Sequence, residues 1–144
     1  MRTKWPRGII TKQTIGNIGL YYTCYLLSLY GWNVMPTARN AKGIDVIAYS
    51  QTGRKRVLIQ VKTLSKKNPV PLGTKLDGFF ADFIVVCVRA YPNEPDCFIL
   101  TPDEIRRLAH KGEKSEKSSY WLQPKSYHID EFKDKWHRIG TGAQ

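Results

Sequence analysis

Acid is what the first half of this chain lacks. Residues 1–76 hold 13 Lys or Arg and one carboxylate, Asp45, whereas residues 77–144 hold 10 basic and 11 acidic residues. The net charge of +11 therefore resides in the first part. Such a sustained skew points to a polyanion partner, nucleic acid first. A solvated face that keeps the protein soluble accounts for an isolated pair such as Lys66-Lys67 but not for the whole asymmetry. Cysteine is scarce as well. Cys24, Cys87 and Cys97 stand singly in apolar segments without CxxC spacing, which argues against zinc and a disulfide framework and for small buried hydrophobes. His110, His128 and His137 are scattered, so no metal-binding triplet is visible. No run approaches the roughly 20 apolar residues of a membrane helix, and the N-terminus carries no signal-peptide pattern. The expectation is a cytoplasmic protein with no membrane partner. At 144 residues, one domain spanning 1–144 can bury a core without staples. Within it, residues 1–10 read as a basic flexible arm and residues 140–144 as a tail that frays.

What the sequence does contain is a hairpin. Residues 44–49 and 57–61 are β-branched and aromatic runs, and Gln51-Thr52-Gly53-Arg54 between them is turn material. A turn centred on Thr52-Gly53 places Asp45 opposite Gln60, with Lys62 next along the same face, because side chains alternate along a strand. Ile44, Val46, Val57, Ile59 and Val61 form the other, apolar face and must be core. A lone acid in an apolar strand needs a reason. Function is one; an Asp bonded to backbone amides near Gly43 is another.

Along the chain, Thr11 or Thr14 can cap a helix over 14–30 that ends at Gly31. Its Gly16 and Gly19 allow close approach of the hairpin that follows. A short strand over 32–35 is cut off by Pro36. The connection 37–42 brings Arg39 and Lys42 to the hairpin entrance, where they can meet phosphates. Arg54, Lys55 and Arg56 lie at the hairpin turn. Residues 64–78 read as a long binding loop containing Lys66, Lys67 and Lys75. Residues 83–88 suit a central strand covered on both faces, and residues 97–100 return beside it. Thr101-Pro-Asp-Glu starts a helix that runs to about 110 and ends at Gly112. An exposed loop, a short strand over 120–122 and a terminal helix over 129–136, burying Phe132 and Trp136, complete an α/β layered domain with a mixed sheet of about five strands.

The order helix, strand, Gly-Ile-Asp45, turn, Gln60-Val61-Lys62-Thr63 resembles the core of the PD-(D/E)xK nuclease superfamily, in the branch where Gln replaces the second acid. The resemblance implies a restriction-endonuclease-like three-layer core with helices flanking the sheet, and a metal-dependent DNA endonuclease. Asp45 would be the principal ligand for Mg2+ or Mn2+, Gln60 would add its amide oxygen, and the Val61 carbonyl a third. Lys62 would orient or activate the attacking water. In many members of the superfamily the first helix adds a glutamate. Here that position falls at Leu20, and no acid precedes Asp45. A noncatalytic nucleic-acid-binding module on the same fold is therefore the alternative. RNA is an alternative to DNA as the nucleic acid, and a basic surface can also bind an acidic protein. Cutting both strands of a duplex would favour a homodimer.

Overall fold

The computed structural model describes residues 10–38, 41–89, 93–112 and 119–144. Arg39 and the basic arm over residues 1–9 lie outside them. Helix α1 (Lys12–Leu29) begins two residues before its expected start, because Thr11 is the cap and its hydroxyl accepts the Thr14 N–H. It stops at Gly31, whose φ of 87° turns the chain so that Trp32 N–H can return to the Leu27 carbonyl.

The strands β1 (Asn33–Pro36), β2 (Val46–Tyr49), β3 (Arg56–Leu64), β4 (Val70–Gly73), β5 (Phe83–Val88) and β6 (Asp96–Leu100) follow. Five of them form one mixed sheet in the order β1-β2-β3-β5-β6, with β3 and β5 parallel and the other neighbours antiparallel. Helix α2 (Pro102–Leu108) starts as its sequence dictates: Thr101 and Glu104 close a reciprocal capping box around Pro102. It ends at Ala109, short of Gly112, because residues 110–112 pair with another strand.

That pairing belongs to a second sheet absent from the sequence expectation. β7 (His110–Gly112), β8 (Ser119–Leu122) and β4 form it, in the order β4-β8-β7. The segment expected to be a loop over 64–78 thus contains an edge strand. Val70 and Leu72 point inward and Pro71 outward, and the edge position tolerates the missing N–H of Pro71.

The chain ends differently from expectation in two places. Residues 129–136 are not a helix: helix α3 (Pro124–Tyr127) precedes them and a single 3-10 turn, Trp136–Arg138, closes them. In between, the Ile99 N–H donates to the Phe132 carbonyl and the Asp134 N–H to the Cys97 carbonyl, so the backbone extends the free edge of β6. Phe132 and Trp136 are buried nonetheless. The tail expected to fray is pinned. Gly142 N–H donates to the Tyr30 carbonyl, Gln51 N–H to the Gly142 carbonyl, and Trp32 Nε1 to the Gly140 carbonyl.

Two cores sandwich the main sheet. On one face α1 packs Cys24 and Leu27 onto Val46, Ala48, Ile59, Val85, Cys87 and Ile99. On the other, Ile84, Val86, Phe98 and Leu100 meet Val70, Leu72, Ile105, Leu122 and Tyr127 from the small sheet, α2 and α3. β5 is buried on both sides, as its unbroken apolar run predicts. The second core, however, takes its strand residues from β5, β6 and the far end of β3. Over β1, β2 and the first part of β3 that face is left uncovered by the described residues, with Met35 and Tyr49 exposed on it. The open half of the sheet is where the polar residues of the hairpin lie.

Candidate active site

β2 and β3 pair from Tyr49 opposite Arg56 to Val46 opposite Ile59, the register that a turn centred on Thr52-Gly53 predicts. Gly53 takes the positive φ the turn requires. Past Ile59, β3 continues for five residues while β2 peels away. Asp45 stands at that divergence. Its N–H donates to the Ile59 carbonyl at 2.9 Å, and its Oδ2 accepts the Val61 N–H at 2.7 Å. The carboxylate thus takes the place of the next ladder acceptor and brackets Gln60 between its two bonds. Because N–H and C=O of one strand residue project toward the same edge, the Val61 carbonyl also lies on the Asp45 side of β3. Thr37 braces the position: its N–H donates to the Asp45 carbonyl and its hydroxyl to the Ile44 carbonyl.

Gln60 and Lys62 alternate with the apolar residues of β3 and share the open face with Asp45; all three are half-buried. Burial pulls the Lys62 ammonium below the ordinary lysine range, and the Asp45 charge opposes that shift. Among the described residues no three His, Cys, Asp or Glu side chains converge. Asp82, next to β5, is committed elsewhere: its Oδ2 accepts the Leu58 N–H at 2.8 Å. Asp45, Gln60 and the Val61 carbonyl are the groups that could hold a metal, and all three offer oxygen, the donor a hard divalent cation prefers. Leu20 packs into the α1 core against the opposite sheet face and supplies nothing to this set.

The predicted basic residues divide into groups. Lys42, just before β2, and Lys66 and Lys67, just after β3, fall at the same end of the hairpin as Lys62, because the strands are antiparallel; the three are exposed. Arg54, Lys55 and Arg56 are exposed at the turn, about 20 Å from Lys62 along the strands. Lys75 follows β4, in the layer where Arg106 Nε binds the Leu76 carbonyl.

Phe80 is a residue that the sequence reading missed. Its ring is 54% exposed and stands against Gly43, with Lys42 Nζ 5.9 Å from its centroid. The Phe79-Phe80 pair gives no sequence signal for this, since only packing decides that Phe79 joins the second core and Phe80 faces water.

Against solved structures, the chain is similar to the bacterial homing endonuclease I-Ssp6803I, with a TM-score of 0.57 and 15% identity over 91% of this chain and 92% of that one. It has a nuclease fold. The fold expected from the sequence, a mixed sheet of about five strands flanked by helices, is the fold found. A Holliday junction resolvase, Hjc of Archaeoglobus fulgidus, aligns more loosely, with a TM-score of 0.44 and 18% identity over 75% of this chain and 90% of that one. No protein-family model matches, and no curated protein matches by sequence.

Proposed function

We propose that the protein is a divalent-metal-dependent DNA endonuclease whose site is built from Asp45, Gln60 and Lys62. The observation that carries this reading is the gathering of those three side chains on the uncovered half of the sheet, with the carboxylate aimed by the Val61 N–H. The nuclease fold and the homing-endonuclease likeness support the same reading. DNA is the favoured substrate because that likeness adds to the basic end formed by Lys42, Lys66 and Lys67.

Asp45 Oδ1, Gln60 Oε1 and the Val61 carbonyl would hold Mg2+ or Mn2+. Bound there, the ion would polarise a phosphate oxygen and lower the pKa of a water. Asp45 contributes the site's negative charge and stays aligned through Val61. Lys62 has two roles open to it, and its environment suits both. As an ammonium it would offset charge developing on the phosphate; burial, which lowers its pKa, also favours the neutral amine that would accept a proton from water. Lys42, Lys66 and Lys67 position the backbone phosphates, and Phe80 offers a face on which a base can stack.

One observation favours a second reading. Leu20 lies in the core and Asp45 is the only carboxylate of the donor set, so metal affinity is low and a nucleic-acid-binding module on the same fold is the competing function. Cleavage of labelled linear, supercoiled, single-stranded and branched DNA by wild type and Lys62→Ala, with Mg2+, Mn2+ or chelator, separates the two. Cutting that requires the metal and falls at least a hundredfold in Lys62→Ala is expected. Binding without any cutting, unchanged in Lys62→Ala, would overturn the enzyme in favour of the module.

A further inference from the structure

The small sheet turns one face into the second core and the other to solvent. Val70 and Leu122 are buried and Tyr120 packs beside them, so the residues that alternate with them, Pro71 and Trp121, point outward. Pro71 and His110 stand directly opposite Trp121 on its two neighbouring strands. Residues paired in this way share a face, so Pro71, Trp121 and His110 form one row of rings, about 5 Å from one to the next, and all three are exposed. The indole is held in place. Its Nε1 donates to Ser119 Oγ at 3.3 Å, and its pyrrole edge lies beside Gly112.

A single exposed apolar side chain is ordinary on a protein surface. This row, however, is framed by cations. Lys125 is exposed in α3, three residues after β8 ends. Lys66 and Lys67 are exposed at most five residues before Pro71, a span of no more than about 18 Å even when fully extended. The Tyr127 hydroxyl donates to the Asn68 carbonyl at 2.6 Å and so ties that lysine loop to α3. The charge distribution agrees. Residues 106–125 hold six Lys or Arg and two acids, whereas residues 77–105 and 126–144 together hold four and nine. The basic character of the first half therefore continues through this one segment of the second.

Rings with cations at their rim recognise flat bases on an anionic backbone. A duplex keeps its base faces inside its own stack and has none to offer. We infer that the outer face of the small sheet binds an unpaired nucleic-acid strand, with a base stacked on Trp121 and phosphates on Lys66, Lys67 and Lys125. Lys66 and Lys67 also follow Lys62 at the end of β3, so one loop adjoins both this surface and the candidate site. The surface is separate from Asp45, Gln60 and Lys62, and the inference holds whether or not those residues cut.

The test is fluorescence anisotropy of labelled oligo-dT and oligo-rU of about 15 nucleotides, and of a duplex of equal length, titrated with the full chain in the presence of chelator. Wild type is compared with Trp121→Ala and Trp121→Phe. Trp121→Ala is expected to weaken single-strand binding about fivefold or more and leave duplex binding unchanged, while Trp121→Phe, which keeps a ring, recovers most of the loss. Emission gives a second readout, because a base stacked on Trp121 quenches it and Trp32 and Trp136 are buried. That quenching should disappear in Trp121→Phe although binding remains. Failure of wild type to bind either oligonucleotide, or equal binding by wild type and Trp121→Ala, would overturn the inference. A loss in Trp121→Ala that extends equally to the duplex would overturn it too, since it marks a structural role. The tighter of the two oligonucleotides assigns the strand to DNA or RNA. Binding is read without any cleavage, so this outcome and that of the nuclease assay are independent.

Discussion

Asp45 is a residue with two candidate roles. The sequence left open whether this lone acid serves the backbone or the chemistry, and the structure shows the first while leaving room for the second: Oδ2 satisfies the Val61 N–H, and Asp45 shares the sheet face of Gln60 and Lys62. Its identity as the exceptional residue was legible because a charge in an apolar strand is conspicuous. Its true partner was not, since Val61 becomes available only where β2 leaves β3. The Lys62 shift yields a prediction with a definite sign. Burial lowers its pKa and Asp45 raises it, so Asp45→Asn should lower it further, which an NMR pH titration of the lysine side chain would read. The same shift bears on stability. Between the lowered folded pKa and the unfolded value of 10.5, the unfolded chain binds more protons, so this group makes stability rise with pH across that window. Wild type should therefore gain on Lys62→Met as pH approaches 10.5, measured by urea midpoints.

Elements with strong local patterns were legible, whereas elements defined by remote partners were not. α1, the β2–β3 hairpin, β5 and α2 each carry a signal within their own residues: a cap, a turn glycine, an unbroken apolar run, a capping box. β4 is four residues long and pairs with β8 across about fifty intervening positions, so neither periodicity nor a turn marks it, although β8 itself matches the short strand expected over 120–122. Residues 129–136 misled for the same reason, since their backbone bonds go to β6. The two glycines of α1 illustrate the limit. Both promised close packing, but a Cβ on Gly19 would run into Thr63 Oγ1 on β3, while one on Gly16 would meet nothing within 4 Å. Gly19→Ala should destabilise the protein by about 1–3 kcal/mol through forced separation of α1 from β3. Gly16→Ala should stabilise it, by up to about 1 kcal/mol, through helix propensity alone. Thermal or urea denaturation of the two variants checks the pair, and equal responses would contradict the packing.

At the scale of the molecule, the charge skew translates into a salt law. If the basic end beside Lys62 meets phosphates, the logarithm of the DNA association constant should fall linearly with the logarithm of salt concentration. Lys67→Ala should then flatten that slope by about one unit. Fluorescence anisotropy at several salt concentrations measures it; an unchanged slope would remove Lys67 from the interface. The larger lesson lies in the sheet that is roofed on only one half. Its covered half holds the fold together, and its open half carries Asp45, Gln60 and Lys62. Stability and chemistry therefore draw on different residues of the same strands. If the open half is the active site proposed above, substitutions there would change what the protein cuts, or whether it cuts at all, while the folded state stands on the residues of the covered half.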